Sequence, residues 1–218
     1  MKIAIIGAME KEVIEYRNIY DMKLINQEKK LYIGKKNDNE IYLIESGIGK
    51  VNAARTTQYM IDKYDIDIVI SSGCAGSLTS KVKIFDTIIS SYVTYHDFYP
   101  KRIMEISTPN NGIIQADKEL IEKARNVLEN RNRSFHIGSI ASGDSFVTND
   151  SERDSIYNET EALAVDMESA SIGHVCTENK IPFLSLRVIS DFADGEEEQE
   201  EKAAKISTLT IVDLIDCL

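Results

Sequence analysis

Short β-branched and apolar runs alternate along the chain with longer segments whose apolar residues recur every three or four positions. The short runs predict strands over 2–6, 31–33, 41–45, 67–71, 87–94, 136–140, 162–166 and 183–189. Several are apolar without alternation, the pattern of strands covered on both faces. Helices are predicted over 11–20, 51–64, 118–129, 168–179 and from about 203 to 217. Leu120, Ile121, Ala124, Val127 and Leu128 form one apolar stripe at helical spacing, and Asp117 stands where an N-cap belongs. Only three prolines occur, no Pro/Gly/Ser linker interrupts the pattern, and no repeat is visible. The expected architecture is α/β: a single domain over residues 1–218, with a central mixed β-sheet flanked by helices.

In such sheets ligands gather outside the carboxyl ends of the strands. Gly7, Ala8, Met9 and Glu12 follow the first strand, and "SGIGK" follows the run at 41–45. "SGCAGS" (72–77) is expected as a loop after 67–71, and "ASGDSFV" (141–147) follows 136–140. Met167 and Glu168 follow 162–166, and Ser190 and Asp191 follow 183–189. Glycine loops and three carboxylates, Glu12, Glu168 and Asp191, thus converge on one side of the sheet. Taken singly, Glu12 and Glu168 also fit acids in the first turn of a helix, and Asp191 fits a turn or cap.

Composition narrows the chemistry. The 218 residues are 43% hydrophobic and 28% charged, enough for a real core, and the formal net charge is −11. A chain this acidic is a poor match to nucleic acid or to an anionic membrane surface. The first ten residues, "MKIAIIGAME", read as a strand rather than a signal peptide, because acids follow the apolar run at once. Cys74, Cys176 and Cys217 are odd in number and widely spaced, supporting neither a disulfide framework nor a zinc site. A reduced, cytoplasmic, soluble protein is expected. "GIGKVN" (47–52) fails both nucleotide-loop patterns and reads as a turn into a helix. Cys74 has no local histidine to activate it, and His96, His136 and His174 show no ligand spacing. The acidic run 194–201 reads as a solvated loop and helix start.

Six stretches in order, "IAIIGAMEKEV", "ESGIGKVNAA", "GCAGSL", "SGDSFV", "AVDMESASIGHVC" and "LRVISDFAD", together resemble the 5′-methylthioadenosine/S-adenosylhomocysteine nucleosidases of the purine nucleoside phosphorylase–hydrolase superfamily. The resemblance spans nearly the whole chain. It implies cleavage by water of the N-glycosidic bond between adenine and a 5′-thio-substituted ribose, without a cofactor or metal, in a homodimer. It also implies residue roles. Glu12 would activate water, and Asp191, held by Ser190, would protonate the departing adenine. Met167 and Glu168 would bind the ribose, and Arg187 would orient water and carboxylates. Phe146 would stack on the base and the Val147 backbone would bond its edge. Met9, Ile48 and the loop ending at Gly76 would line the pocket.

Ribosyl–nitrogen cleavage passes through an oxocarbenium-like state, and adenine leaves poorly as an anion. That chemistry explains why an apolar strand should end in an acid: a rigid element aims a proton donor whose pKa burial must raise. The acidic loop around Glu12 repels phosphate and favours hydrolysis over a phosphorylase of the same fold. A nucleoside-binding module without turnover, and a flavodoxin-like domain, are further alternatives. Four departures from the family pattern bear on the substrate: Cys74 for serine, Asp166 for glutamate, and shortened segments after Pro100 and Asp194. They imply a 5′ pocket that is open, altered or built from Phe98 and Tyr99, with weaker discrimination there than is usual.

Overall fold

The computed structural model of the chain describes residues 1–194 and 199–218. Ten strands form one sheet: β1 (Lys2–Gly7), β2 (Lys23–Asn26), β3 (Leu31–Lys36), β4 (Asn39–Glu45), β5 (Ile68–Ser77), β6 (Thr87–Tyr95), β7 (Ile114–Gln115), β8 (Phe135–Ser142), β9 (Ala164–Asp166) and β10 (Phe183–Asp191). The helices are α1 (Glu10–Ile19), α2 (Lys50–Tyr64), α3 (Lys101–Ser107), α4 (Lys118–Asn130), α5 (Asp150–Thr160), α6 (Ser169–Asn179) and α7 (Glu200–Ile215).

The sheet is mixed, as the pattern predicts. β1 lies parallel between β4 and β5, and β3 and β2 continue antiparallel to the edge. On the other side the strands close on themselves. β5 pairs with β10, β10 with β6, β6 with β8, β8 with β9, and β9 returns antiparallel to β5. A closed ring of five strands leaves no free edge there and fixes which residues meet at its rim. Ile3, Ile5, Ile70, Leu184 and Leu186 are fully buried beneath helices packed on the sheet. α7 packs between α1 and α4 and against β5 and β10, and α2 packs on α6.

Several elements differ from expectation. "SGCAGS" is not a loop: β5 runs through it to Ser77, with Cys74, Ala75 and Gly76 in register with Val188, Ile189 and Asp191 of β10. Ladder partners keep these small residues in the strand: β10 pairs with Ser72 to Gly76, and β9 with Gly76 and Ser77. β10 likewise reaches Asp191, with a register shift between Ile189 and Asp191. Such a bulge re-aims the side chain that follows it. α3 and α5 are helices the pattern does not predict. In each, the amphipathic stripe shrinks to a single buried residue, Met104 or Ile156. The acidic run expected as a solvated loop falls partly outside the described residues, at 195–198; its Glu200 opens α7.

Asp117 is the N-cap of α4, its carboxylate accepting from the Leu120 N–H at 2.9 Å. Asp117→Ala should lower the unfolding free energy by about 1 kcal/mol, measured by urea denaturation. An unchanged midpoint would mean that solvent caps the helix equally well.

Candidate active site

The carboxyl ends of β1, β4, β5, β8, β9 and β10 surround a cavity of ≈ 400 Å³. That is within the ~300–1,000 Å³ of small-molecule sites. Its wall includes Met9, Glu12, Ile48, Gly76, Phe146, Val147, Met167, Glu168, Ser190 and Asp191, ten of the eleven residues expected to meet substrate. The eleventh, Arg187, does not reach the cavity wall; it lies behind it, 2% exposed. Phe98 and Tyr99 do not line this cavity either, but a separate hollow with Tyr95 and His96. The two aromatics therefore add nothing to the wall of this cavity within one chain.

Glu12 sits at the third position of α1 and is buried. One carboxylate oxygen accepts from the N–H groups of Ala8 at 2.7 Å and Met9 at 3.0 Å; the other accepts from the Cys74 N–H at 3.1 Å. The bland reading is thus half right. Glu12 bonds back to the start of its own helix, as an N3 acid does, while its second oxygen crosses to β5. Burial raises its pKa, against the pull of Arg187 and these three N–H donors.

The missing side chains of "SGCAGS" make room for the acids. A Cβ on Gly73 would fall 2.3 Å from a Glu12 carboxylate oxygen, and one on Gly76 would fall 2.9 Å from Asp191. Real Cβ atoms essentially never approach so closely. Asp191 accepts the Ser190 hydroxyl proton and the Ala193 N–H, each at 2.7 Å. Its pKa is raised, burial outweighing those two donors.

Glu168 is the N-cap residue of α6 and accepts the Gly49 N–H at 2.9 Å. Gly49 reaches it with φ of 96°, in the region glycine tolerates. "GIGKVN" is therefore the expected turn into a helix, and also a donor to the site. Lys50 is occupied elsewhere: its ammonium donates to both Asp97 oxygens at 2.6 Å. Asp97 also accepts the Asp144 N–H at 2.8 Å, tying the loop of Phe146 to the loop of Ile48.

Behind the wall, the Arg187 guanidinium donates to Asp166 at 2.8 Å and to the Ser71 hydroxyl at 2.9 Å. It lies 3.9 Å from Glu168. Asp166 also accepts the Ser142 hydroxyl at 2.5 Å and the hydroxyl of Ser169. The Glu168 pKa is pushed up to about 8, by burial first and the Asp166 charge next, with Arg187 opposing.

Sequence reasoning missed Asp166, Lys11 and Glu200 as cavity residues. Asp166 lies at the end of its strand and was legible by that rule; the Lys11–Glu200 pair joins helices far apart in the chain and left no local signal. Cys74 lines the cavity too, with its thiol pKa raised by burial, which keeps it a thiol rather than a nucleophile. The three histidines lie outside the wall: His136 bonds Asp86 at 3.0 Å, His174 bonds Tyr95 at 3.2 Å, and His96 is buried.

Residues 2–212 match the phosphorylase superfamily, the class this fold defines. A 5′-methylthioadenosine/S-adenosylhomocysteine nucleosidase of Staphylococcus epidermidis is 38% identical, over 99% of this chain and 100% of that protein. Among solved structures, the nucleosidase of that name from Colwellia psychrerythraea, in complex with adenine, superposes with a TM-score of 0.90 at 30% identity, covering 99% of this chain and 94% of that one. A futalosine hydrolase mutant of Helicobacter pylori superposes with a TM-score of 0.92 at 30% identity, covering all of both chains. The chain belongs to the 5′-methylthioadenosine/S-adenosylhomocysteine nucleosidases within the phosphorylase superfamily.

Because the Glu168 pKa is higher folded than unfolded, the folded chain holds its proton longer. Ionising Glu168 as pH rises from its ordinary 4.5 through about 8 therefore costs folding free energy. Glu168→Gln removes that cost and can still accept the Gly49 N–H. Its unfolding free energy minus that of the wild type should rise by ~1 kcal/mol or more between about pH 5 and about pH 8. Urea titrations at both pH values test this; a difference independent of pH would contradict it.

Proposed function

We propose that the protein hydrolyses the N-glycosidic bond of 5′-methylthioadenosine and S-adenosylhomocysteine, releasing adenine and the 5′-thioribose product. The observation that carries this reading is the meeting of Glu12, Glu168 and Asp191 in the wall of one cavity, in a chain of the nucleosidase family.

Adenine lies between Phe146 and Val147 on one side and Asp191 on the other. Burial favours the protonated form of Asp191, which donates its proton to N7 as the bond from C1′ to N9 breaks. Adenine then departs as a neutral base rather than an anion. Such general acid–base help is worth ~10²–10⁴-fold. Ser190 orients the carboxyl. Glu168 receives the ribose hydroxyls and, with Met167, fixes the sugar. The Glu12 carboxylate, before it takes the proton from water, stabilises the developing oxocarbenium ion. Glu12 takes one proton from a water molecule as its oxygen bonds to C1′. Asp191 has then lost a proton and Glu12 has gained one, and exchange with solvent resets both. Arg187 acts from behind the wall as a positioning residue, holding Asp166 and compensating the acids, rather than touching substrate.

Hydrolysis is favoured over phosphorolysis by the charges. Among the described lining residues the cationic side chain is Lys11, and Glu200 pairs with it. A phosphate beside Glu12 would meet repulsion and no unpaired cation. Among the described residues no helix is long and apolar enough to cross a membrane. We place the protein in the cytoplasm, recycling used S-adenosylmethionine products. We also read it as a homodimer: Ile48 and Phe146 at the cavity and Val51 beside them are exposed apolar side chains that a second copy would cover.

Methylthioadenosine in phosphate-free buffer should yield free adenine, followed by chromatography. Asp191→Asn should lower kcat by ~10²-fold or more while nucleoside binding persists. Normal turnover by that variant would remove Asp191 from the acid's role, and dependence of adenine release on phosphate would favour the phosphorylase. Light scattering should give twice the chain mass, and a single-chain mass would refute the dimer.

A further inference from the structure

The cavity wall holds one ion pair that the hydrolysis above does not use. Lys11, in the first turn of α1, meets Glu200, the first residue of α7, through ammonium and carboxylate. Both residues line the cavity, and their side chains remain 34% and 13% exposed.

β5 orders the cavity along its length. Asp191 lies against Gly76 at one end. Two residues back, the Cys74 N–H donates to Glu12, and the Cys74 thiol donates to the Glu200 backbone carbonyl at 3.3 Å. Glu12 and Glu200 thus both bond Cys74, two residues along β5 from the Gly76 against which Asp191 lies. A nucleoside with its purine at Asp191 and its ribose at Glu168 and Glu12 sends its 5′ substituent past Cys74 towards this pair.

We propose that Lys11 and Glu200 recognise the zwitterionic α-amino-acid end of a 5′-thio substituent, an inference that rests on the nucleosidase reading. The substrate carboxylate takes the Lys11 ammonium and the substrate ammonium takes the Glu200 carboxylate. One ion pair within the protein is exchanged for two across the interface, so neither protein charge is stranded when the tail binds. When the 5′ group is a methylthio, Lys11 and Glu200 keep each other and the small apolar group rests on Met9 and Ile48. The weak 5′ discrimination expected from the shortened segments thereby acquires a direction: aliphatic ends are tolerated, and a charged amino-acid end is read.

The bland alternative is that the pair ties α1 to α7. A partly exposed tie of this kind contributes little to stability, and the two readings separate by substrate. The experiment measures kcat/KM for S-adenosylhomocysteine and for methylthioadenosine with the wild type, Lys11→Met, Glu200→Gln and Lys11→Arg, each checked for folding by circular dichroism. The ratio of the first substrate to the second should fall about tenfold in Lys11→Met and in Glu200→Gln, the loss of one charge-assisted contact. It should be retained in Lys11→Arg, which keeps both charge and tie. Parallel changes for both substrates, an unmoved ratio in the neutral variants, or loss in Lys11→Arg would overturn the proposal. If the wild type releases adenine from neither nucleoside, the reaction assignment falls on its own. The same ratio, read from calorimetric dissociation constants, then decides tail recognition separately.

Discussion

One buried guanidinium faces three carboxylates. Arg187, with Glu12, Asp166 and Glu168 as its charged neighbours, sits behind the cavity with almost no access to water. A single positive charge cannot hold three ionised acids in a low-dielectric wall, and the structure divides the burden unequally. Asp166 takes the direct contact at 2.8 Å together with serine hydroxyls. Glu12 takes three backbone N–H groups. Glu168 takes one N–H and the more distant side of the guanidinium, and its pKa is pushed up to about 8. Removing one member of such a cluster strands the others, so loss of Arg187 threatens fold as well as chemistry.

The backbone makes this cluster possible by what it leaves out. Gly73 and Gly76 sit in a strand, where glycine is ordinarily a weakness, because side chains there would occupy the positions of Glu12 and Asp191. The closed strand ring supplies the ladder partners that keep these small residues extended. The bulge near the end of β10 then turns Asp191 towards Gly76. Rigid elements rather than mobile loops thus hold the acids, as a preorganised site requires.

Much of this was legible beforehand. The apolar runs located eight of the strands, most plainly β1, β4 and β10, where burial on both faces removes charged residues almost entirely, and Asp117 announced its helix because N-cap chemistry is local. The convergence of Glu12, Glu168 and Asp191 followed from one rule, that acids just past parallel strands share a rim. What stayed hidden has physical reasons. β2 exposes Lys23, Leu24 and Ile25, so no burial pattern marks it. α5 buries only Ile156 and depends on an Asn149 cap and acids in its first turn. The extension of β5 through "SGCAGS" depends on partners more than 80 residues away in sequence, among them Val165 and Asp191. The remote Lys11–Glu200 pair was invisible for the same reason: it depends on tertiary packing and has no period of its own.

The guanidinium cannot neutralise the whole cluster, so one carboxyl, that of Glu168, keeps its proton past neutrality. A titration of the ligand-free protein, with carbon-13 at the glutamate carboxyls, observes this directly. A resonance absent from Glu168→Gln should titrate near pH 8. If every glutamate resonance, including that one, completes its titration within the ordinary carboxylate range, the cluster is balanced by means other than those described, and the account fails.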